Sequence, residues 1–128
     1  MGTRLWPVSL KSKPKQLQAL VSKKTLLQET WKRVFPIVAP EDIYVSCNQS
    51  HKKIIRKQLK ALAKNHLIIE PERRDTAAAI CWESLVLSRK DKRAIVASLG
   101  SDHVVRESEV FQNALKKGEA FLKKYPQY

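Results

Sequence analysis

The sequence predicts an α/β fold, a piece of a doubly wound and mostly parallel sheet, and three observations carry that prediction. Short β-rich runs alternate with stretches of helical period along the chain. Each connection is long enough to hold a crossover helix, which makes successive strands parallel and their connections right-handed. A chain of 128 residues with 43% hydrophobic content is enough for one core and too short for two.

The elements come in order along the chain. After a polar opening punctuated by proline, Thr25 caps a helix through LLQETWKRVF, whose Leu26, Leu27, Thr30, Trp31 and Val34 recur at helical spacing. Pro36 and Pro40 end it. Residues 42–47 read as a short strand, and Asn48 or Ser50 caps the next helix, with Ile54, Ile55, Leu59 and Leu62 on one stripe. Residues 66–69 form a second strand, closed by Glu70 and Pro71. Asp75 begins and caps a helix, TAAAICWESLVLS, which is apolar nearly all round and is therefore expected to be buried. Residues 93–98 read as a third strand, and the last helix runs from Ser108 through Lys124. The chain opens with a loop where such a fold opens with a strand.

Charge is the most conspicuous bulk property, with 25 Lys and Arg against 12 Asp and Glu and a net charge of +13. Such a balance suits a nucleic-acid partner through phosphate neutralisation. The cations are scattered over helix faces and turns, however, with no aromatic RNA-binding strand, zinc finger or recognition helix beside them. Specific nucleic-acid binding is accordingly not expected. No apolar run reaches the ~18 residues of a membrane span, and no secretory apolar stretch opens the chain, so a cytoplasmic protein without membrane contact is expected. Cys47 and Cys81 have neither disulfide nor metal spacing, and both are expected to be inert.

Ligands of such sheets bind beyond the carboxyl ends of the strands, and three loop segments carry unusual chemistry. Gly2, Thr3, Arg4 and, further on, Lys15 place a glycine, a hydroxyl and two cations on the opening segment, a composition suited to phosphate. Glu70 to Thr76 leads from a strand end into a helix start. Gly100-Ser101-Asp102-His103 sets a carboxylate after the third strand, where a hard metal ion would find an oxygen ligand.

Five anchors in this order resemble the nucleotide-sugar pyrophosphorylases, most closely the mannose-1-phosphate guanylyltransferases. They are GTRLWP at residues 2–7, PKQ at 14–16, LLQ at 26–28, EPERRDTAAAI at 70–80 and SDHVV at 101–105. The resemblance implies a Rossmann-like domain of the nucleotide-diphospho-sugar transferase type. It also implies a reaction, in which GTP and mannose 1-phosphate give GDP-mannose and pyrophosphate with Mg2+ as cofactor. On that resemblance, Gly2 and Thr3 lie against the nucleotide phosphates, and Arg4 and Lys15 clamp them and act in catalysis. Glu70, Arg74, Asp75 and Thr76 help to form the nucleotide pocket, and Asp102 is a metal ligand. Trp6, Trp31 and Trp82 are read as packing residues, and His103 is assigned no role.

The sequence also departs from that family pattern. The first strand and the leading glycines of its G-G-x-G-T-R signature are missing ahead of Gly2, and Gly100 stands where a proline is usual. Residues 1–128 are therefore expected to be a partial nucleotidyltransferase domain, an N-terminal fragment holding the nucleotide-binding half without the sugar-binding half or C-terminal domain. In a sheet of order 3-2-1-4 the absent strand lies between residues 42–47 and 93–98, leaving a gap or two unpaired edges. The isolated chain is expected to be inactive. Another sugar-1-phosphate nucleotidyltransferase and a basic nucleic-acid-binding α/β protein are the alternatives, and homo-oligomerisation of a longer protein is left open.

Overall fold

The computed structural model describes residues 14–72 and 75–127. Helix α1 spans Leu26–Val34, β1 Val45–Asn48, α2 Lys52–Gln58, β2 Leu67–Glu70, α3 Asp75–Ser88 and α4 Ser108–Lys124, with single 3-10 turns at Lys15–Leu17, Pro40–Asp42, Gln49–His51 and Lys64–His66. The two strands pair in parallel, Val45 opposite Leu67 and Asn48 opposite Glu70. The α/β reading and the parallel connection through α2 both stand.

Helix α1 starts as its sequence dictates. Thr25 is extended, with φ −70° and ψ 158°, and its hydroxyl oxygen accepts the Gln28 N–H while Gln28 Oε1 accepts the Thr25 N–H at 3.0 Å. This reciprocal capping box satisfies two donors that the first helical turn leaves without partners. The helix buries Leu26, Leu27, Thr30 and Arg33. Asn48 is the second cap, its Oδ1 accepting the Ser50 N–H at 3.1 Å in the turn that feeds α2. That helix is short, and the stripe foreseen for it continues past its end through the buried Leu59 and Leu62.

Leu17, Leu27, Cys47, Ile55, Leu59 and Leu62 form the core, with Trp31, Val45, Ile54, Leu67 and Ile69 packed against it. His66 is buried beside it, its Nδ1 3.2 Å from the Ile43 carbonyl and its ring stacked on Tyr44 at 4.4 Å. Every buried residue among those described precedes Glu70. The later elements lie against this half through polar contacts. Trp82 Nε1 of α3 donates to the Ile69 carbonyl at 3.1 Å. Gln112 Nε2 of α4 donates to the Arg33 carbonyl at 2.7 Å, and the Arg33 guanidinium stands 5.5 Å from the Phe111 ring centre.

Three expectations are corrected here. Residues 93–98 are not a strand, because a strand exists only where a neighbour completes its ladder and none of the described segments lies beside these residues to do so. Helix α3 is not buried: Ile80 and Leu85 are 39% and 48% exposed, since one turn of contact on β2 cannot cover a helix that is apolar all round. Cys81, foreseen inside that helix, is exposed for the same reason.

Candidate functional site

The turn that carries Lys15 is anchored on its C-terminal side. Pro14, with φ −65° and ψ 155°, enters a one-turn 3-10 helix whose Leu17 inserts into the core. Gln58, at the end of α2, then ties this turn to the rest of the protein. Its Nε2 donates to the Leu17 carbonyl at 3.0 Å, its Oε1 accepts the Thr25 hydroxyl at 2.8 Å, and its backbone carbonyl accepts Gln28 Nε2 at 3.0 Å. Gln58 is a positioning residue that the sequence reading missed. A glutamine just past a lysine-rich helical turn carries no local signal, and its role appears only when three segments meet around it.

The second half of the chain brings a carboxylate to that lysine. Asp102 Oδ2 stands 4.0 Å from Lys15 Nζ, with both side chains a little more than one-third exposed. His103 Nε2 lies 3.7 Å from Asp102 Oδ1. Gly100 permits this cluster, since a Cβ there would stand 3.2 Å from the His103 ring and 3.3 Å from Asp102 Oδ1, closer than ordinary contact. The cluster is half-solvated, so the Lys15–Asp102 attraction contributes at most about 1 kcal/mol. Both groups therefore stay available for a charged ligand.

For a divalent cation, Asp102 offers a single carboxylate. Among the described residues no three His, Cys, Asp or Glu side chains are grouped to hold a metal. This donor set fits Mg2+ in the manner in which that ion is commonly held, by one or two carboxylates with the remaining positions filled by water and substrate phosphates. It does not make a cage that would hold the ion alone.

The β2–α3 connection carries the next group. Glu70 ends β2 and its Oε1 accepts the Ser46 hydroxyl at 3.3 Å. Asp75 is the first residue of α3 and has φ 55°, a left-handed backbone that aspartate tolerates better than most side chains. Thr76 comes next, on the exposed side. Glu70, Pro71, Ala78 and Trp82 line an open cavity of about 520 Å³ beside this connection. Of the other residues foreseen at the site, Gly2, Thr3, Arg4 and Arg74 lie outside the described residues, as does Trp6. The structure thus brings Lys15 and Asp102 together and gathers Glu70, Asp75 and Thr76 on a separate connection.

Cys47 is buried in the core, and its thiol is pushed up to about 11, chiefly by burial and further by Glu70, against the opposing charges of Arg56 and Lys52.

Residues 1–125 match the nucleotidyl transferase family model. The chain belongs to that family. It is 36% identical over 125 residues to the mannose-1-phosphate guanylyltransferase of Salmonella muenchen, across 94% of its own length and 26% of that protein's. It is 39% identical over 116 residues to the xanthan biosynthesis protein XanB of Xanthomonas campestris, across 89% of its own length and 25% of that protein's. The chain therefore spans about a quarter of the length of the curated relatives it matches. Among solved structures it resembles the mannose-1-phosphate geranyltransferase of Thermus thermophilus, with a TM-score of 0.74 and 30% identity over 89% of this chain and 33% of that one. The mannose-6-phosphate isomerase of Helicobacter pylori gives the same TM-score at 27% identity, over 88% of this chain and 43% of that one. These likenesses make the fold a Rossmann-like α/β domain. No helix among the described residues is long and apolar enough to cross a membrane.

Proposed function

We propose that this chain carries the nucleotide-binding part of a mannose-1-phosphate guanylyltransferase, in which GTP and mannose 1-phosphate yield GDP-mannose and pyrophosphate. The observation that carries the proposal is the approach of Lys15 and Asp102 across the length of the chain to 4.0 Å. A cation and a carboxylate so placed can serve the two needs of a nucleoside triphosphate, charge neutralisation at the phosphates and an anchor for their metal ion. The names of the relatives, mannose-1-phosphate guanylyltransferase in Salmonella muenchen and in Escherichia coli, support the choice of nucleotide and sugar.

In this reaction a phosphate oxygen of the sugar phosphate attacks the α-phosphorus of GTP. The new O–P bond forms as the bond to the bridging oxygen of the β-phosphate breaks, and pyrophosphate leaves with that electron pair. Catalysis of this kind is positioning and electrostatics. Lys15 holds a phosphate oxygen as a point charge, and Arg4, Gly2 and Thr3, outside the described residues, are assigned the remaining phosphate contacts on the family resemblance. Asp102 supplies one oxygen ligand to Mg2+, which when bound neutralises charge developing on the phosphates. Glu70, Arg74, Asp75 and Thr76 form the side of the pocket that takes the rest of the nucleotide. The chain spans about a quarter of its relatives' length, and residues 1–128 alone bind GTP without turnover in a cytoplasmic setting.

A thermal melt of the purified chain with GTP and Mg2+ tests this. GTP at about 10 Kd should stabilise by roughly 1.4 kcal/mol, because ligand binds only the folded state. Lys15→Ala and Asp102→Asn should each abolish most of that shift. No shift at millimolar GTP refutes the reading. Tight, salt-sensitive oligonucleotide binding that GTP does not compete would replace it with the nucleic-acid alternative, and a larger shift with ATP or dTTP would change the base.

A further inference from the structure

Arg33, in the last turn of α1, is a buried charge with no counter-charge among the described residues. Its side chain belongs to a residue only 6% exposed, and its Nε is sealed from solvent without a hydrogen-bond partner among those residues. The ion pairs there join Lys15 and His103 to Asp102 and Lys123 to Glu119, and none includes Arg33. Its guanidinium lies instead over the Phe111 ring, 5.5 Å from the centre. A guanidinium cannot shed its proton to relieve burial, and a buried charge left unpaired is strongly unfavourable. The helix dipole does not explain the burial, because the neighbouring Lys32 serves the same end of α1 from an exposed position. Phe111 belongs to the first turn of α4, and the next residue, Gln112, donates through Nε2 to the Arg33 carbonyl at 2.7 Å. That turn starts without a cap, since Glu107 at the preceding position makes no side-chain hydrogen bond to it. An unpaired guanidinium and an uncapped helix start thus meet at one junction, and both favour negative charge.

We propose that the junction of α1 and α4 is a binding site for the carboxylate of a small molecule, held in two-oxygen fashion by the Arg33 guanidinium beside the first turn of α4. Three observations choose a carboxylate. The Phe111 ring covers one face of the guanidinium, which leaves its edge, and that edge matches two oxygens lying in its plane. With Arg33 so deeply buried, the junction admits a small planar group sooner than a tetrahedral phosphate with its substituents. Glu107 and Glu109 flank the turn in exposed positions, with Arg106 offsetting one of them, so a doubly charged anion is repelled more than a singly charged one. The site is separate from the Lys15 turn. Gln58 ties that turn to Thr25 at the start of α1, whereas Arg33 stands near the other end of the helix, about 10 Å further along its axis. The proposal is therefore independent of the nucleotide chemistry above. Its consequence is mechanical: α1 belongs to the half of the chain that holds the buried residues, and a bound carboxylate fastens α4 to it.

The test is NMR on the full isotope-labelled chain, titrated with sodium acetate against sodium chloride at constant ionic strength. The Arg33 Nε–H resonance, identified by its loss in Arg33→Lys, should shift saturably with acetate and stay fixed in chloride. The backbone amides of Ser108 and Glu109 should move with the same midpoint, while those of Leu67–Glu70 hold their positions and report an intact fold. Arg33→Lys keeps the charge but loses the fork, and should bind acetate at least tenfold more weakly. The double variant Glu107→Gln, Glu109→Gln should leave the Arg33 resonance in chloride unchanged and tighten acetate at least twofold. No saturable shift at near-molar acetate overturns the proposal, as does equal binding by Arg33→Lys. A displaced Arg33 resonance in the double variant overturns it too, because the chain's own carboxylate is then the partner. Tighter binding of inorganic phosphate than of acetate overturns the choice of a carboxylate.

Discussion

Replacing Gln58 by leucine removes a side chain that links the Lys15 turn, the cap of α1 and the end of α2. Leucine has nearly the same size and a similar helix propensity, so neither packing volume nor helix formation changes much. Two hydrogen bonds disappear, from Nε2 to the Leu17 carbonyl at 3.0 Å and from the Thr25 hydroxyl to Oε1 at 2.8 Å. Each contributes about 1 kcal/mol net, and two half-buried partners are left without an acceptor or donor, so the loss is roughly 2 kcal/mol. Equilibrium unfolding in urea measures it, and the corresponding fall in midpoint temperature is about 6–10 °C for a chain of this size. A Thr25→Val partner variant isolates the hydroxyl bond, for which a coupling of about 1 kcal/mol is expected. A loss below roughly 0.5 kcal/mol for Gln58→Leu, or no coupling to Thr25, would refute the claim that this glutamine holds the turn.

Four further predictions concern single positions. A Cβ at Gly118, inside α4, meets nothing within 4 Å, so Gly118→Ala should raise stability by roughly 0.5–1 kcal/mol in the same urea experiment. Cys81 should react with a thiol reagent at pH 8 while Cys47 does not. Because folding raises the Cys47 thiol to about 11, its contribution to stability is whole below pH 9 and is lost as pH rises through 11, which a pH series of melts on Cys47→Ala and the parent chain would trace. Asp102→Asn should change stability by less than about 1 kcal/mol, since the Lys15 pair is half-solvated, yet should weaken Mg2+ binding in titrations made with GTP present.

What the sequence disclosed and what it hid divide along one physical line. The Thr25 cap of α1 and the Asn48 cap are local, set by residues within one turn of each other, and were legible, as were the bounds of α3 and α4. Residues 93–98 have the composition of a strand but no ladder neighbour among the described residues, and composition cannot supply one. Burial of α3 fails for the same reason, because an apolar surface is buried only if something is there to cover it. At the site, Lys15 and Asp102 were each legible as residue types in loops, whereas their approach to 4.0 Å and the hold of Gln58 on the Lys15 turn are tertiary facts.

The uneven distribution of the core bears on how a ligand would act. Lys15 is fastened to the half of the molecule that contains every buried residue among those described, through Leu17 and Gln58. Asp102 rides on the other half, which has no buried residue among those described and meets the first through Trp82, Gln112, the ring of Phe111 and the exposed contact of Lys90 with Tyr44. An exposed ion pair is too weak to fix the second half on the first. A polyanion with its metal ion, held by both groups at once, adds a bridge between the halves and should stabilise the weaker one most. Regions with few buried contacts open locally at little cost, so the connection at residues 89–107 is where a protease should cut first. GTP with Mg2+ at about 100 Kd, contributing about 2.7 kcal/mol, should slow cleavage there by up to a hundredfold, while sites in the first half change less. Equal protection of both halves, or protection that survives Asp102→Asn, would refute the bridge.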